Sequence, residues 1–491
     1  HASSPPVRRQ TPEKGRRKHE ICGLAAFRKL SKEVEATFNG RIFPIPWGAK
    51  KPPRADAIRE VARVFAGEEP SSGQLALPFS PYDFSWIPIE LLSSIYEQFL
   101  HAEGSDASSK DGAHYTPEPL AEYLVSEVQS VRPLRAGMRI LDPCCGSGVF
   151  LVVAFRRLVE MECACQGAHS LPPHKVKKLL THSIYAVERN RTACEITAFS
   201  LILAMLAYVK PQELHRLKRS FKFPSLIGKN LFPEDFFATD GLFWKKTDPE
   251  TKEALRFDWI LGNPPWLELK EDDVKAKPMR DWMNVNERSL ALARGRTGEA
   301  FAWKVREKLA DKGVAGLVLA AKTLTNDHLK PWRAKFFSSH RVYRVTNFAN
   351  LAYVIFPKVK EATMTVTFGL PQSGKAAPAI LHVGPFVANQ VAISRSRKAW
   401  VVGVTESEMK AVSAADAAHG DTSTWKFALW GNHRDTRELA RLKALWPETL
   451  KSLADTRGWC LALGLQLRDG PGKKWVDAAG VARQENEEVA K

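Results

Sequence analysis

No stretch of this 491-residue chain is apolar for long enough to cross a bilayer. The longest apolar run, Ala198 to Val209, falls short of the roughly 20 residues a spanning helix needs and reads as a buried helix. An apolar leader is lacking too. Residues 1–20 are basic and contain proline, so they read as a disordered tail and no signal peptide is expected. There is no initiator Met, and His1 is expected to mark a processed or partial chain. Cysteine is scarce: seven residues, an odd count, form no disulfide framework at this length and point to a reducing compartment, the cytoplasm. Cys163 and Cys165 lie near His169 and His174, but the Cys-x-x-Cys spacing and a second pair are missing, so no metal site is expected. Internal repeats and low-complexity arrays are absent as well. Acid is short relative to base, 54 Asp and Glu against 72 Lys and Arg, which leaves a net charge of +18. Such an excess attracts phosphate backbones, or less often anionic membranes.

What is present is enough for a folded protein of more than one domain. Hydrophobic residues make up 44% of the chain, sufficient for a sizeable core, and the length suggests two or three domains. Residues 1–110 read as the basic tail and an N-terminal helical region, its strongest helix at Ile89–His101. A polar linker, Gly104–Asp111, follows. From there short β-rich runs alternate with helices, the pattern of a parallel sheet covered by helices. The expected strands are Arg139–Asp142, Ser183–Glu188, Phe257–Gly262, Val314–Ala320, Arg344–Phe348 and Ala362–Phe368. Expected helices are Val149–Glu160, Asn190–Tyr208 and Phe301–Lys312. The last two strands leave no room for a crossover helix, so they should pair antiparallel at the sheet edge. A catalytic domain at 111–375 would then precede a recognition region at 376–491, expected to be incomplete. There Thr424–Leu429 and Gly458–Leu467 should supply strands and Arg434–Leu445 a helix.

Two loops carry the chemistry. In the first, Asp142-Pro143-Cys144-Cys145-Gly146-Ser147-Gly148 joins a strand to a helix, with glycines that let a ligand approach the backbone at the carboxyl end of the sheet. Leu151 stands where a dinucleotide fingerprint has its third glycine, and Asp142 would repel a pyrophosphate. An acidic loop suits a ligand with an ammonium group and sugar hydroxyls, as S-adenosylmethionine has. Glu188, at the end of the second strand, is placed to accept from two ribose hydroxyls. The second loop, Gly262-Asn263-Pro264-Pro265-Trp266, follows an apolar strand. Its prolines fix the backbone and remove donors, leaving carbonyls free to accept. Acceptors at the Asn263 side chain and the Pro264 carbonyl would grip both N–H bonds of an exocyclic adenine amine. The nitrogen is then held in line with a sulfonium methyl. Trp266 would stack on the base once it leaves the duplex.

These loops resemble the gamma group of amino-methyltransferases, the N6-adenine DNA enzymes of restriction–modification systems. The likeness covers about residues 89–370 and implies a Rossmann-like α/β methyltransferase sheet with an antiparallel edge strand. It implies S-adenosyl-L-methionine as cofactor, double-stranded DNA as substrate, and other restriction–modification or defence subunits as partners. The family's Tyr-Thr-Pro motif is matched by Tyr115, Thr116 and Pro117, with Tyr115 and Thr116 helping to cover the cofactor. Its Asp-Phe pair is matched by Asp235 and Phe236, Asp235 accepting from the cofactor's adenine amine. A Phe-Pro before the last strands is matched by Phe356-Pro357, and Phe356 would sandwich the flipped base opposite Trp266. Trp266 departs from the commoner Tyr but keeps the stacking surface.

Other readings share the Asn-Pro-Pro-aromatic turn: a methyltransferase for guanine N2 in RNA or for a protein glutamine. A DNA-binding specificity subunit with idle catalytic motifs is another. Pro143-Cys144 superficially matches a cytosine-C5 nucleophile but sits inside the cofactor loop. Glu268-Leu269-Lys270 imitates a nuclease site but overlaps the catalytic loop.

Overall fold

The apolar runs that bound the two loops become neighbouring strands. The computed structural model describes residues 54–66, 116–217, 221–269, 276–293, 295–356, 361–372, 377–386 and 403–459, with a few shorter pieces. Its main sheet has nine strands: β1 (Ile140–Asp142), β2 (Ile184–Val187), β3 (Leu231–Phe232), β4 (Phe257–Gly262), β5 (Leu309–Ala320), β6 (Arg341–Asn347), β7 (Thr363–Gly369), β8 (Ile380–Val383) and β9 (Met409–Val412). Their order is β3-β2-β1-β4-β5-β7-β6-β8-β9. β3, β2, β1, β4 and β5 run parallel. Parallel strands are buried on both faces, which is why they read as continuous apolar runs rather than alternating ones.

The chain leaves β1 to one side for β2 and β3, then returns to its other side for β4 and β5. The crevice beyond the carboxyl ends of β1 and β4 is therefore the topological switch point, where open α/β sheets bind ligands. After α1 (Ala55–Ala66), helices α2 (Glu118–Val131), α3 (Val149–Cys165), α4 (Pro173–Ser183), α5 (Arg191–Ala207), α6 (Lys277–Leu290), α7 (Thr297–Lys304), α8 (Lys330–Ser339) and α9 (Thr422–Trp430) are the main ones described, and helices cover both faces of the sheet. Trp259 and Leu261 of β4 enter one core cluster, with α2, α3 and α5. Ile260 enters the other, with α7 and α8.

Helix α2 is held to β6 and β7 by a buried acid. Thr346 Oγ1 donates to Glu127 Oε1 at 2.6 Å and Thr365 Oγ1 to Oε2 at 2.8 Å. The Tyr123 hydroxyl lies 2.9 Å from Thr346 Oγ1. Burial raises the Glu127 carboxyl, and the hydroxyl donors oppose that rise.

Several expectations need correcting. β7 pairs antiparallel with β6, as its short connection requires, but also with β5, so it lies inside the sheet. The edge is β9, antiparallel to β8. The sheet thus continues past residue 375. The compact unit that holds it runs to Leu429, and a second unit comprises residues 430–491. Phe301–Lys312 is not one helix: α7 starts at Thr297 and ends at Lys304, a 3-10 turn takes Val305–Lys308, and β5 begins at Leu309. Thr424–Leu429 is not a strand. It lies in α9, where Trp425, Ala428 and Leu429 are buried at helical spacing. Trp425 packs on Phe337 of α8 at 4.7 Å between ring centroids.

In the second unit α10 (His433–Leu445) starts on a capping box. Asn432 Oδ1 accepts from the Arg434 and Asp435 amides at 2.8 and 3.2 Å, and Asp435 Oδ2 accepts from the Asn432 amide at 2.8 Å. Helix α11 (Leu450–Arg457) follows. The expected helix Ile89–His101, Tyr115, Pro357 and the Gly458–Leu467 strand beyond Trp459 lie outside the described residues.

Candidate active site

Asp142 ends β1 fully buried. Its Oδ1 accepts from the Cys144 amide at 3.0 Å, while Oδ2 is buried with no partner. Burial lifts this carboxyl to about 8, against the Cys144 amide bond, and the nearby charge of Glu188 adds to the rise. A cation placed against it would draw it back down.

The loop that follows is tied to both neighbouring elements. The Cys145 amide donates to the Val187 carbonyl at the end of β2, 3.2 Å away. Glu188, half-buried, accepts from the Gly146 amide at 2.9 Å and the Asn190 amide at 2.8 Å. Each carboxylate oxygen has a further lone pair, so these bonds leave capacity for ligand hydroxyls. Asn190 also caps α5, accepting from the Thr192 and Ala193 amides at 2.9 and 3.3 Å. Thr197 of α5 donates to the Gly146 carbonyl at 2.8 Å. Gly148 is where the loop meets α5. Its φ is +87°, and a Cβ there would lie 2.7 Å from Thr197 Cγ2.

The second loop touches the first. A Cβ on Gly262 would lie 3.1 Å from Asp142 Oδ1, 3.3 Å from Pro143 Cδ and 3.5 Å from Cys144 Sγ. Burial, and with it the Asp142 and Glu188 charges, keeps that thiol protonated. On the side chain of Asn263, Nδ2 donates to Thr116 Oγ1 at 3.1 Å, and Oδ1 is buried with no partner. Beyond the prolines, Trp266 Nε1 donates to the Val318 carbonyl at 3.3 Å. Its ring meets Phe356 edge-on, 5.5 Å between centroids at 83°. Thr297 at the start of α7 clamps the turn: its hydroxyl bonds the Pro265 carbonyl and accepts from the Leu267 amide at 3.0 Å.

Asp142, Pro143, Gly146, Gly148, Glu188, Asn263, Pro264, Pro265, Trp266, Phe356, Thr116 and Pro117 thus gather around the carboxyl ends of β1, β2 and β4. Asp235 follows β3 and accepts from the Phe237 amide at 2.8 Å. Burial raises its carboxyl, countered by that amide and by the charge of Arg189. Phe236 is a core residue, stacked on Phe301 at 5.9 Å and 9° and buried against Phe243 and Trp244. Sequence reasoning missed Thr197, Thr297 and the Thr116–Asn263 contact. Their partners lie 51, 32 and 147 residues away, and no local pattern marks them.

The donor set fits S-adenosylmethionine. An orphaned buried carboxylate oxygen, a half-exposed acid and open space over Gly146 suit a cationic ligand with hydroxyls. Asn263 Oδ1 suits a second group that donates.

A family model described as N-6 DNA Methylase matches residues 88–351. The adenine-specific methyltransferase PglX of Streptomyces coelicolor is 28% identical over 201 residues, covering 36% of this chain and 16% of that protein. The type I restriction enzyme EcoEI methylase subunit of Escherichia coli is 24% identical over 282 residues, 57% of this chain and 47% of that one. The chain therefore spans less than half the length of these curated relatives. Among solved structures, a type I restriction–modification methyltransferase subunit from Streptococcus thermophilus aligns with a TM-score of 0.46 at 16% identity. It covers 80% of this chain and 74% of that one.

Proposed function

The chain belongs to the N-6 DNA Methylase family, and on that premise we propose that it transfers a methyl group from S-adenosylmethionine to the N6 amine of adenine in DNA. The observation that carries this reading is Asn263 Oδ1, a buried acceptor without a partner, one strand away from the orphaned oxygen of Asp142.

Asp142 and Glu188 bind and orient the cofactor, which when bound supplies an electrophilic methyl on a sulfonium. Asn263 Oδ1 and the Pro264 carbonyl accept from the two N–H bonds of the adenine amine. This localises the nitrogen lone pair and aims it, the main catalytic contribution of a site whose reactants are held in register. Transfer leaves one proton too many on nitrogen, and with neutral acceptors on that side the proton departs to solvent. Trp266 and Phe356 meet edge-on, so they part to receive a flipped base. Stacking of about 1–3 kcal/mol per base then offsets much of the unstacking cost.

The charge of +18 supplies the attraction to the DNA backbone. We place the end of the catalytic domain near Leu429 and assign residues 430–491 to target recognition. A methylase subunit among its relatives supports action beside other restriction–modification subunits, and free cysteines support the cytoplasm.

The test is methyl transfer from labelled S-adenosylmethionine to duplex DNA by the isolated chain, followed by digestion to nucleosides. Label in N6-methyldeoxyadenosine is expected. Label confined to RNA or protein substrates, or to a cytosine nucleoside, would overturn the proposal.

A further inference from the structure

We infer that Thr116 is a positioning residue for methyl transfer, because its hydroxyl anchors the side chain of Asn263; this rests on the function proposed above. The resemblance assigns Thr116 to the cofactor. Its observed partner is instead Asn263, whose Nδ2 donates to Thr116 Oγ1 at 3.1 Å.

An asparagine side chain fits its site either way round, and the two orientations have opposite chemistry. With Nδ2 on Thr116, Oδ1 faces away from the hydroxyl as a buried acceptor with no protein partner. Turned over, the amide would take a hydrogen bond from the hydroxyl through Oδ1 and aim its two N–H donors at the site. An exocyclic amine about to attack only donates, so that orientation would repel it. In the structure the amide stands in the productive orientation, and its bond to the hydroxyl holds the side-chain torsion there.

The backbone of Asn263 is held separately, between the end of β4 at Gly262 and the two prolines that follow. What Thr116 controls is the side-chain torsion. It is well placed for that control. Thr116 is 7% exposed and directly precedes Pro117, the N-cap of α2. Glu127, farther along α2, anchors that helix through Thr346 on β6 and Thr365 on β7. The hydroxyl therefore arrives on a rigid element rather than on a mobile loop.

The test compares Thr116→Val, which keeps the shape and loses the acceptor, with Thr116→Ser, which keeps the hydroxyl. Steady-state methylation of duplex DNA and titration with S-adenosylmethionine are run on the full chain. The expected result for Thr116→Val is a kcat lower by about tenfold or more, with cofactor Kd within about twofold, while Thr116→Ser recovers most of the rate. A weaker cofactor Kd with unchanged kcat would make Thr116 a cofactor contact and overturn the inference, as would an unchanged kcat.

A second readout does not need turnover. In protein labelled with 15N-asparagine, the Asn263 side-chain resonance, assigned by its loss in Asn263→Ser, should move in Thr116→Val and stay in Thr116→Ser. A resonance unmoved in Thr116→Val overturns the contact itself. A wild-type chain that methylates no adenine defeats the proposed function, while this resonance still decides whether Thr116 holds the amide.

Discussion

Replacing Gly148 by alanine should disable cofactor binding through two separable effects. The first is backbone. With φ at +87°, an L residue there costs about 1–2 kcal/mol. The second is contact. The new methyl would sit 2.7 Å from Thr197 Cγ2 and 3.0 Å from Thr197 Oγ1, so one side must shift. Overpacking of this kind costs about 1–3 kcal/mol. Turning Thr197 away also gives up its 2.8 Å bond to the Gly146 carbonyl, worth about 1 kcal/mol. The loop is the softer partner, and its displacement carries Gly146 off Glu188. We therefore expect S-adenosylmethionine affinity to fall by about 2–5 kcal/mol, at least roughly thirtyfold. Two companions separate the causes. Gly137→Ala has nearly the same φ, +85°, with nothing within 4 Å of its Cβ, so it measures the backbone cost alone. Gly148→Ala with Thr197→Ser keeps the hydroxyl and removes the nearest methyl, so it should recover part of the contact cost. Calorimetric titration and urea unfolding give both quantities. An unchanged Kd in Gly148→Ala would refute the reasoning, and no recovery in the double variant would refute the contact half.

Asn263→Ala should abolish most turnover while leaving cofactor Kd nearly intact; near-normal methylation by this variant sinks the acceptor assignment. Glu188→Gln should weaken cofactor binding by one or two charge-assisted bonds, about 1.5–3 kcal/mol each, and an unchanged Kd would move the cofactor elsewhere. A 2-aminopurine at the target position should brighten on binding and then be partly quenched by Trp266 and Phe356, so a constant signal in a proven complex argues against flipping. Acid should destabilise the fold through His340 and His382, whose pKa values burial lowers from 6.5 to about 4. Both are neutral when folded, and the unfolded chain takes up protons first, so stability is complete above about pH 6.5 and falls towards pH 4. Each histidine removes about 2 kcal/mol at pH 5. Urea midpoints that stay level between pH 7.5 and 5 would contradict this.

Legibility followed the range of the forces involved. β4 has its expected bounds, Phe257–Gly262, because a fully buried parallel strand must be apolar throughout and Asn-Pro-Pro ends it. The loop after β1 was readable for a similar reason: its composition suits a ligand and little else. β3 was not, since two residues carry no period. Nor were β8 and β9, four residues each, with mixed burial in β9. α9 was expected as a strand at Thr424–Leu429, whereas the fold buries Trp425, Ala428 and Leu429 on one helical face, Trp425 against Phe337. Phe236 was assigned to the cofactor by its place beside Asp235, yet its ring fills the core against Phe301.

The site itself follows from where the sheet reverses its order. A buried acceptor left unpaired costs about 1–3 kcal/mol. Unpaired atoms such as Ser183 and Ser200 Oγ also occur away from the site, so an orphan alone marks nothing. Asp142 Oδ2 and Asn263 Oδ1 differ in their placement. They follow adjacent strands, β1 and β4, at the carboxyl edge and across the switch point. Neither is bonded to the other or to any other protein group. Each remaining polar atom of the two residues is already engaged, by the Cys144 amide on one and by Thr116 on the other. The protein thus leaves one unpartnered oxygen at the carboxyl edge of each of two adjacent strands, both available to groups from outside. On the function proposed above, two substrates, one cationic and one carrying an amine, would complete the arrangement, and the close approach at Gly262 would keep their holders together.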